Sequence, residues 1–418
     1  MDRAKAPRVR DLKEIEIPSI DQLTLDCGIK VFYHLERNTE AFKIELVHKG
    51  GFLNSSSASE SSLLSKMLLE GTTALPGSTF LESIDNLGSF IESSPAFDNA
   101  TISLFGLKRY FESNINLLAS VIYSSEMDQD RLEILKRKEI NRVRLNQEKG
   151  SYLTSTQLRK NLFQEHPYGY ISNISDISSI NISQLQPLIN TRIQSFDIFV
   201  SGDLPSNFSQ VLNKYFTVLM NGLLSEVSFV EFPKITQNTR VSDDKFIQSS
   251  IRIGKRLFNR SHSDYATFMV LNEVLGGYFG SRLMKNIREE KGYTYGISSH
   301  LYSLKETGYF TIGTEVNYEV EDDTIEQIQF EINRLHTDHI GIEELLTVKN
   351  YMMGSFANSL TSPFAAIDKF KGLFYQGLDL SFYNNYISEL KSISSESIRQ
   401  AAQTYLVWEE MSSSIAGK

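Results

Sequence analysis

The sequence predicts an α+β protein made of two homologous domains, each an antiparallel-rich sheet packed with helices, and three observations carry that reading. Runs of period two alternate with helical runs along the chain. Glycine and strand landmarks of the first half recur about 205 residues later, the mark of a duplicated unit. A polar, proline-containing stretch, SEVSFVEFPKITQNTRVSDD, lies between the halves and lacks helical periodicity. The expected division is therefore a first domain over 1–224, a linker over 225–244 and a second domain over 245–418.

In chain order, residues 23–35 read as strand broken by a turn at 26–28, and 42–48 read as a second strand in which Phe42, Ile44, Leu46 and His48 alternate with polar or small residues. The serine-rich loop 54–57 leads into a helix with Leu63, Leu64, Met67 and Leu68 on one face, ending at Gly71. A second helix over 80–87 stops at Gly88, strands follow near 89–93 and 101–107, and two long helices are expected over 110–125 and 131–162. After residue 245 the pattern repeats. IQSSIRIGKRL reads as a strand, 264–275 as a helix ending in Gly276, and 283–291 as a helix stopped by Gly292.

Composition removes several function classes. With 418 residues the chain exceeds one ordinary core, and 41% hydrophobic with 22% charged residues fits a soluble globular protein. A net charge of -9 argues against nucleic acid or an anionic membrane as partner. The single cysteine, Cys27, excludes an internal disulfide and a thiolate metal cluster; its place beside Gly28 suits a structural turn. No run has the length of a membrane span or of a signal peptide's apolar core, so a cytoplasmic location is expected. There is no G-x-S-x-G elbow and no P-loop, and Gly276, Gly277 and Gly280 miss the dinucleotide spacing. His336 and His339 read as a solvated helix end, and His166 in HPYG as a structural loop residue.

The least generic stretch is 275–298, LGGYFGSRLMKNIREEKGYTYGIS. Helical periodicity over 281–291, a terminating Gly292 and large–small alternation over 293–297 bring Arg288 and Tyr295 together through one tight turn. Residue chemistry leaves two readings open. In one, Arg288 pairs with Glu289 or Glu290 while Tyr295 simply packs; in the other, the two serve a carbonyl or anion.

Taken with LDCGIKVFYH, the segment up to EGTT, HPYG and SGDL, this stretch resembles the insulinase and pitrilysin-type zinc peptidases, the inverzincins, over nearly the whole chain. That group includes the mitochondrial processing peptidase and two-subunit bacterial peptidases. The resemblance implies two homologous α+β domains per subunit and two such units around a chamber. It also implies an H-x-x-E-H zinc motif on the first helix, with two histidines one turn apart and a glutamate serving the metal-bound water. Here the matching stretch is SSLLSKMLLEGT, so the three positions are Ser62, Ser65 and Lys66. None suits its role, because serine is a poor neutral ligand, an ammonium repels a cation and no carboxylate remains as base. The family's third ligand would fall near 141–143, with Glu139 slightly early. Lys66 is either a surface lysine or a fixed cation that satisfies Glu139.

The resemblance also implies that an Arg and a Tyr seven residues apart contact substrate opposite the zinc, which here are Arg288 and Tyr295. The expectation is a non-catalytic subunit with substrate-binding residues Arg288 and Tyr295, no catalytic residue, no metal site and no cofactor of its own. Zinc is expected in a separately encoded homologous partner, with an oligopeptide as substrate and no nucleic acid or membrane partner. A homodimer is possible for the isolated chain. A scaffold, or a homodimeric peptide binder without hydrolysis, is the alternative.

Overall fold

The computed structural model describes residues 15–193, 195–217, 232 and 236–418. The first half contributes β1 (Asp21–Thr24), β2 (Lys30–Leu35), β3 (Ala41–His48), β4 (Phe90–Pro95), β5 (Ala100–Leu107) and β6 (Phe196–Gly202). Its helices are α1 (Ala58–Met67), α2 (Ser78–Asn86), α3 (Phe111–Tyr123), α4 (Gln129–Gln147), α5 (Gly150–Phe163), α6 (Ile174–Ser179), α7 (Ile182–Leu188) and α8 (Phe208–Tyr215). The second half contributes β7 (Asn238–Ser242), β8 (Ser249–Leu257), β9 (Ile297–Ser303), β10 (Gly308–Val316) and β11 (Ser412–Gly417). Its helices are α9 (Tyr265–Asn272), α10 (Glu321–Thr337), α11 (Ile342–Asn358), α12 (Ala365–Phe374), α13 (Ser381–Ser392) and α14 (Ser395–Tyr405).

The two sheets match strand for strand. The first has the order β1-β2-β6-β3-β5-β4 and the second β7-β11-β8-β10-β9. In each, one pair is parallel, β2 with β6 and β7 with β11, and the remaining pairs are antiparallel. Strand β1 is an addition, joined to β2 through the turn at Cys27 and Gly28. The glycine stops match as well. Gly88, just beyond α2, has φ +63°, and Gly292, after the short helical turn Met284–Glu290, has φ +67°, a left-handed geometry that glycine adopts without cost.

Two departures from the sequence reading have physical causes. The end of the expected linker is not a connector: Asn238–Ser242 forms β7, its backbone paired with β11, while most of the preceding stretch lies outside the described residues. The helix expected over 131–162 is two helices, because Lys149 takes an extended backbone (φ -103°, ψ 117°) between α4 and α5.

That break lets α5 leave its own half. It lies on β8 and β11 of the second sheet, with the Thr154 and Ser250 hydroxyls 3.0 Å apart and Asn161 Nδ2 donating to Thr239 Oγ1 at 3.1 Å. In return α12 of the second half covers β2 and β6, where Ile367, Phe370 and Phe374 pack on Phe32 and Phe199. Each sheet therefore has its own helices on one face and a borrowed helix on part of the other. This explains β3, whose alternation predicts one polar face. Lys43 and Glu45 on that face are buried under α12, and their charges are met by Asp368 and Lys371, each at 2.6 Å. Buried charges persist only when paired in this way.

Candidate functional site

Helix α1 starts where Ser57 Oγ accepts from the backbone N–H of Glu60 at 3.1 Å, which satisfies one of the helix's free N–H groups. Leu63, Leu64 and Met67 are fully buried in the first core. Ser62 and Ser65 are also buried, and the Ser65 hydroxyl has no hydrogen-bond partner. Lys66 is not in bulk solvent. Its ammonium contacts the buried carboxylate of Glu139 on α4, which also accepts from Arg142 Nε at 2.8 Å. Burial, helped by the Arg142 and Lys138 charges, lowers Lys66 to about 8, while the touching carboxylate acts in the opposite sense. The ammonium is thus charged at neutral pH.

These residues do not fit a zinc ion. The place of two imidazoles is held by a serine and a cation, and the one nearby carboxylate is engaged by Lys66 and Arg142. Among the described residues no group of three or more His, Cys, Asp or Glu side chains is gathered around a metal position. His339 is exposed beyond the end of α10, and His166 Nδ1 accepts from the N–H of Tyr168 at 3.2 Å, a loop-forming bond.

The other candidate residues lie in the second half. After α9 the chain widens into a π-type turn, Glu273–Gly277, and a second such segment, Met284–Glu290, carries Arg288. This segment is held by its buried face: Ile287 is in the core, Asn286 Nδ2 donates to Glu331 Oε1 at 2.8 Å, and Arg282 makes a two-pronged bond to Glu344, both at 3.0 Å. The turn that follows is pinned by Tyr293, whose hydroxyl donates to Asp323 at 2.6 Å, and by Thr294 Oγ1, which donates to the Glu315 carbonyl at 2.8 Å. That tyrosine bond, with those from Gln327 and Lys291, holds the Asp323 carboxyl down to about 2.

Tyr295 is not on a strand. Strand β9 begins at Ile297, because the Thr294 hydroxyl accepts from the Gly296 N–H at 3.1 Å and closes a turn there. From that turn the Tyr295 side chain projects into solvent, 96% exposed. Arg288 Nε donates to the Tyr295 carbonyl at 3.1 Å, and its guanidinium lies 4.6 Å from the centre of the Phe279 ring, itself 64% exposed. Arg288 makes no ion pair with Glu289 or Glu290. The structure thus brings Arg288 and Tyr295 together and adds Phe279, which the sequence reading did not single out. Tyr295 and Phe279, on segments either side of the Arg288 helical turn, are exposed rings outside the core.

Against known proteins, residues 194–352 match the Peptidase M16 inactive domain. That match spans the start of the second half of the chain and the segment leading into it. The chain is 24% identical over 311 residues to the uncharacterized zinc protease YmxG of Bacillus subtilis, covering 72% of this chain and 74% of that protein. It is 21% identical over 344 residues to the non-peptidase homolog YmxG of Helicobacter pylori, covering 80% and 79%. The structure of a peptidase M16 inactive domain from Pseudomonas fluorescens superposes with a TM-score of 0.87 at 22% identity, covering 95% of this chain and 98% of that one, and so shares the fold. In this chain the positions of the zinc motif hold Ser62, Ser65 and Lys66. Among the described residues no helix is long and apolar enough to cross a membrane.

Proposed function

We propose that the chain is the non-catalytic subunit of a heterodimeric zinc peptidase, lining with Arg288 and Tyr295 the wall opposite a homologous partner's zinc. One observation carries the reading: Tyr295 is fully presented to solvent while Arg288 fixes its backbone. A phenol and a guanidinium fork are donors suited to a substrate carbonyl and to an oxygen that gains charge during hydrolysis. Strand β4 supports a peptide substrate. It is the outer strand of the first sheet, paired only with β5 among the described residues, and a free edge can add an extended peptide through its unpaired N–H and C=O groups.

The test is reconstitution with a homologous subunit that carries an intact H-x-x-E-H. Arg288→Ala and Tyr295→Phe are expected to lower kcat/KM of the pair by about 10- to 100-fold, on the scale of one lost transition-state donor. The isolated chain should hydrolyse nothing and retain no stoichiometric zinc. Unchanged turnover in both variants would favour a scaffold, and peptide binding by the isolated chain as a dimer would favour a peptide-binding module.

A further inference from the structure

Away from Arg288 and Tyr295, a cavity of about 360 Å³ opens between α5 and the part of the second sheet that α5 leaves uncovered. Its polar lining comes from Arg159 on α5, Arg252 on β8, and Ser298, His300 and Tyr302 on β9. Both arginines are committed to neutral groups. Arg252 donates to Ser155 Oγ and to the Ile251 carbonyl, each at 3.1 Å, and Arg159 donates to the Tyr170 carbonyl at 3.0 Å and lies over the Phe97 ring at 5.1 Å. Arg159 Nε is buried with no hydrogen-bond partner. Neither arginine has an ion pair among the described residues; Glu315 on β10 is the one acid whose charge reaches Arg252.

Burial strips hydration from both guanidinium groups and lowers each below its ordinary range. The α12 contact treats its cations differently: Lys43, buried on β3, and Lys371, on α12, are matched by Asp368 and Glu45. The pocket side lacks that match. Tyr302 stacked on Tyr309, with centres 4.7 Å apart, forms an apolar wall, and Gly313 leaves the space the Arg252 fork occupies, since a methyl group there would overlap it. Partial burial and the Arg252 charge push the His300 imidazole below its ordinary value.

We propose that this cavity is a carboxylate-binding pocket, which takes an acidic side chain or C-terminal carboxylate of a bound peptide. A carboxylate supplies the missing anion, and a planar two-oxygen group matches a guanidinium fork. Strand β9, which lines the pocket, begins two residues after Tyr295, so a peptide lying on that turn runs beside the pocket mouth. The source of the carboxylate rests on the peptide-binding reading. The chemistry of the pocket does not.

The test uses the purified full chain and two pools of random nonapeptides that differ only in a fixed central Glu or Gln, with glutarate as a small dicarboxylate probe. The Glu pool should bind about tenfold more tightly, and Arg252→Met and Arg159→Met should each erase the difference while leaving the Gln pool unchanged. Arg252→Lys, which keeps the charge, guards against a folding defect and should retain part of the preference. Equal binding of both pools by the native chain overturns the pocket while leaving peptide binding intact. If neither pool binds, the peptide reading fails and glutarate decides: a rise in Tm that Arg252→Met abolishes supports a pocket for free carboxylates, and no rise overturns it.

Discussion

Tyr295 is a residue at which stability and the proposed function separate. With nearly all its surface in water, its side chain contributes little to folding, and exposed positions of this kind change stability by less than about 0.5 kcal/mol. Tyr295→Ala is therefore expected to leave the urea midpoint of the isolated chain unchanged while lowering turnover of the reconstituted pair; a shifted midpoint would mean that the ring packs. Arg288 combines a bond to a carbonyl with stacking on Phe279, and a lysine cannot reproduce both. His48 is the opposite kind of residue. It is buried, its Nδ1 accepts from the Gly50 N–H at 3.1 Å, its Nε2 has no partner, and burial pushes it down to about 3. Between that value and the ordinary 6.5 the unfolded chain binds a proton that the folded chain does not, so stability rises with pH across this window and is constant above it. From His48 alone the loss on acidification is about 1.4 kcal/mol per pH unit below 6.5. Urea titrations at pH 7.0 and 5.5 should show this slope, and it should be absent in His48→Gln.

At the scale of elements, α1 and α4 are joined by a charge pair. Lys66→Met leaves the Glu139 carboxylate buried with Arg142 as its remaining cationic partner. The expected cost is about 1–2 kcal/mol, reduced from that of a fully buried pair because Lys66 is about a third exposed. Urea denaturation measures it, and Lys66→Met combined with Glu139→Gln should recover part of the loss, since no buried carboxylate then remains and Arg142 is half exposed. A single variant as stable as the native chain would show that the pair is not needed. The sequence made the pair legible only as one of two readings, because residues 66 and 139 are on different helices and periodicity carries no information across them. Similar limits apply elsewhere. The glycine stops at 88 and 292 and the period-two runs revealed the duplicated fold, since both are local backbone signals. The charged face of β3 read as solvent-facing because nothing local to residues 43 and 45 announces a helix arriving from residue 365. Tyr295 read as strand because large–small alternation over 293–297 looks the same whether the chain extends or turns on the Thr294 hydroxyl. Arg159 and Arg252 lie on a helix and a strand of different halves, and only the exchange of covering helices brings them to one cavity.

The whole molecule is held together by that exchange. Were the chain cut in the connecting stretch, the first half would lose α12 and expose Phe32 and Phe199, and the second would lose α5 and uncover the face of β8 and β11. Burial of apolar surface is worth roughly 25 cal/mol per Å², and each of several aromatic rings in the α12 contact buries on the order of 150–250 Å². Several kcal/mol per half thus depend on the other half, comparable with the whole stability of an ordinary domain. Separately expressed fragments 1–217 and 236–418 are accordingly expected to aggregate or to lack cooperative unfolding, and to give a soluble complex when co-expressed. The intact chain should unfold in one calorimetric transition. Two transitions, or fragments that each unfold cooperatively alone, would mean that the borrowed helices contribute little, and that the halves can move independently around whatever lies between them. If the fragments do require each other, the turn carrying Arg288 and Tyr295 is fixed relative to α1 and β4, and a partner subunit meets one rigid surface.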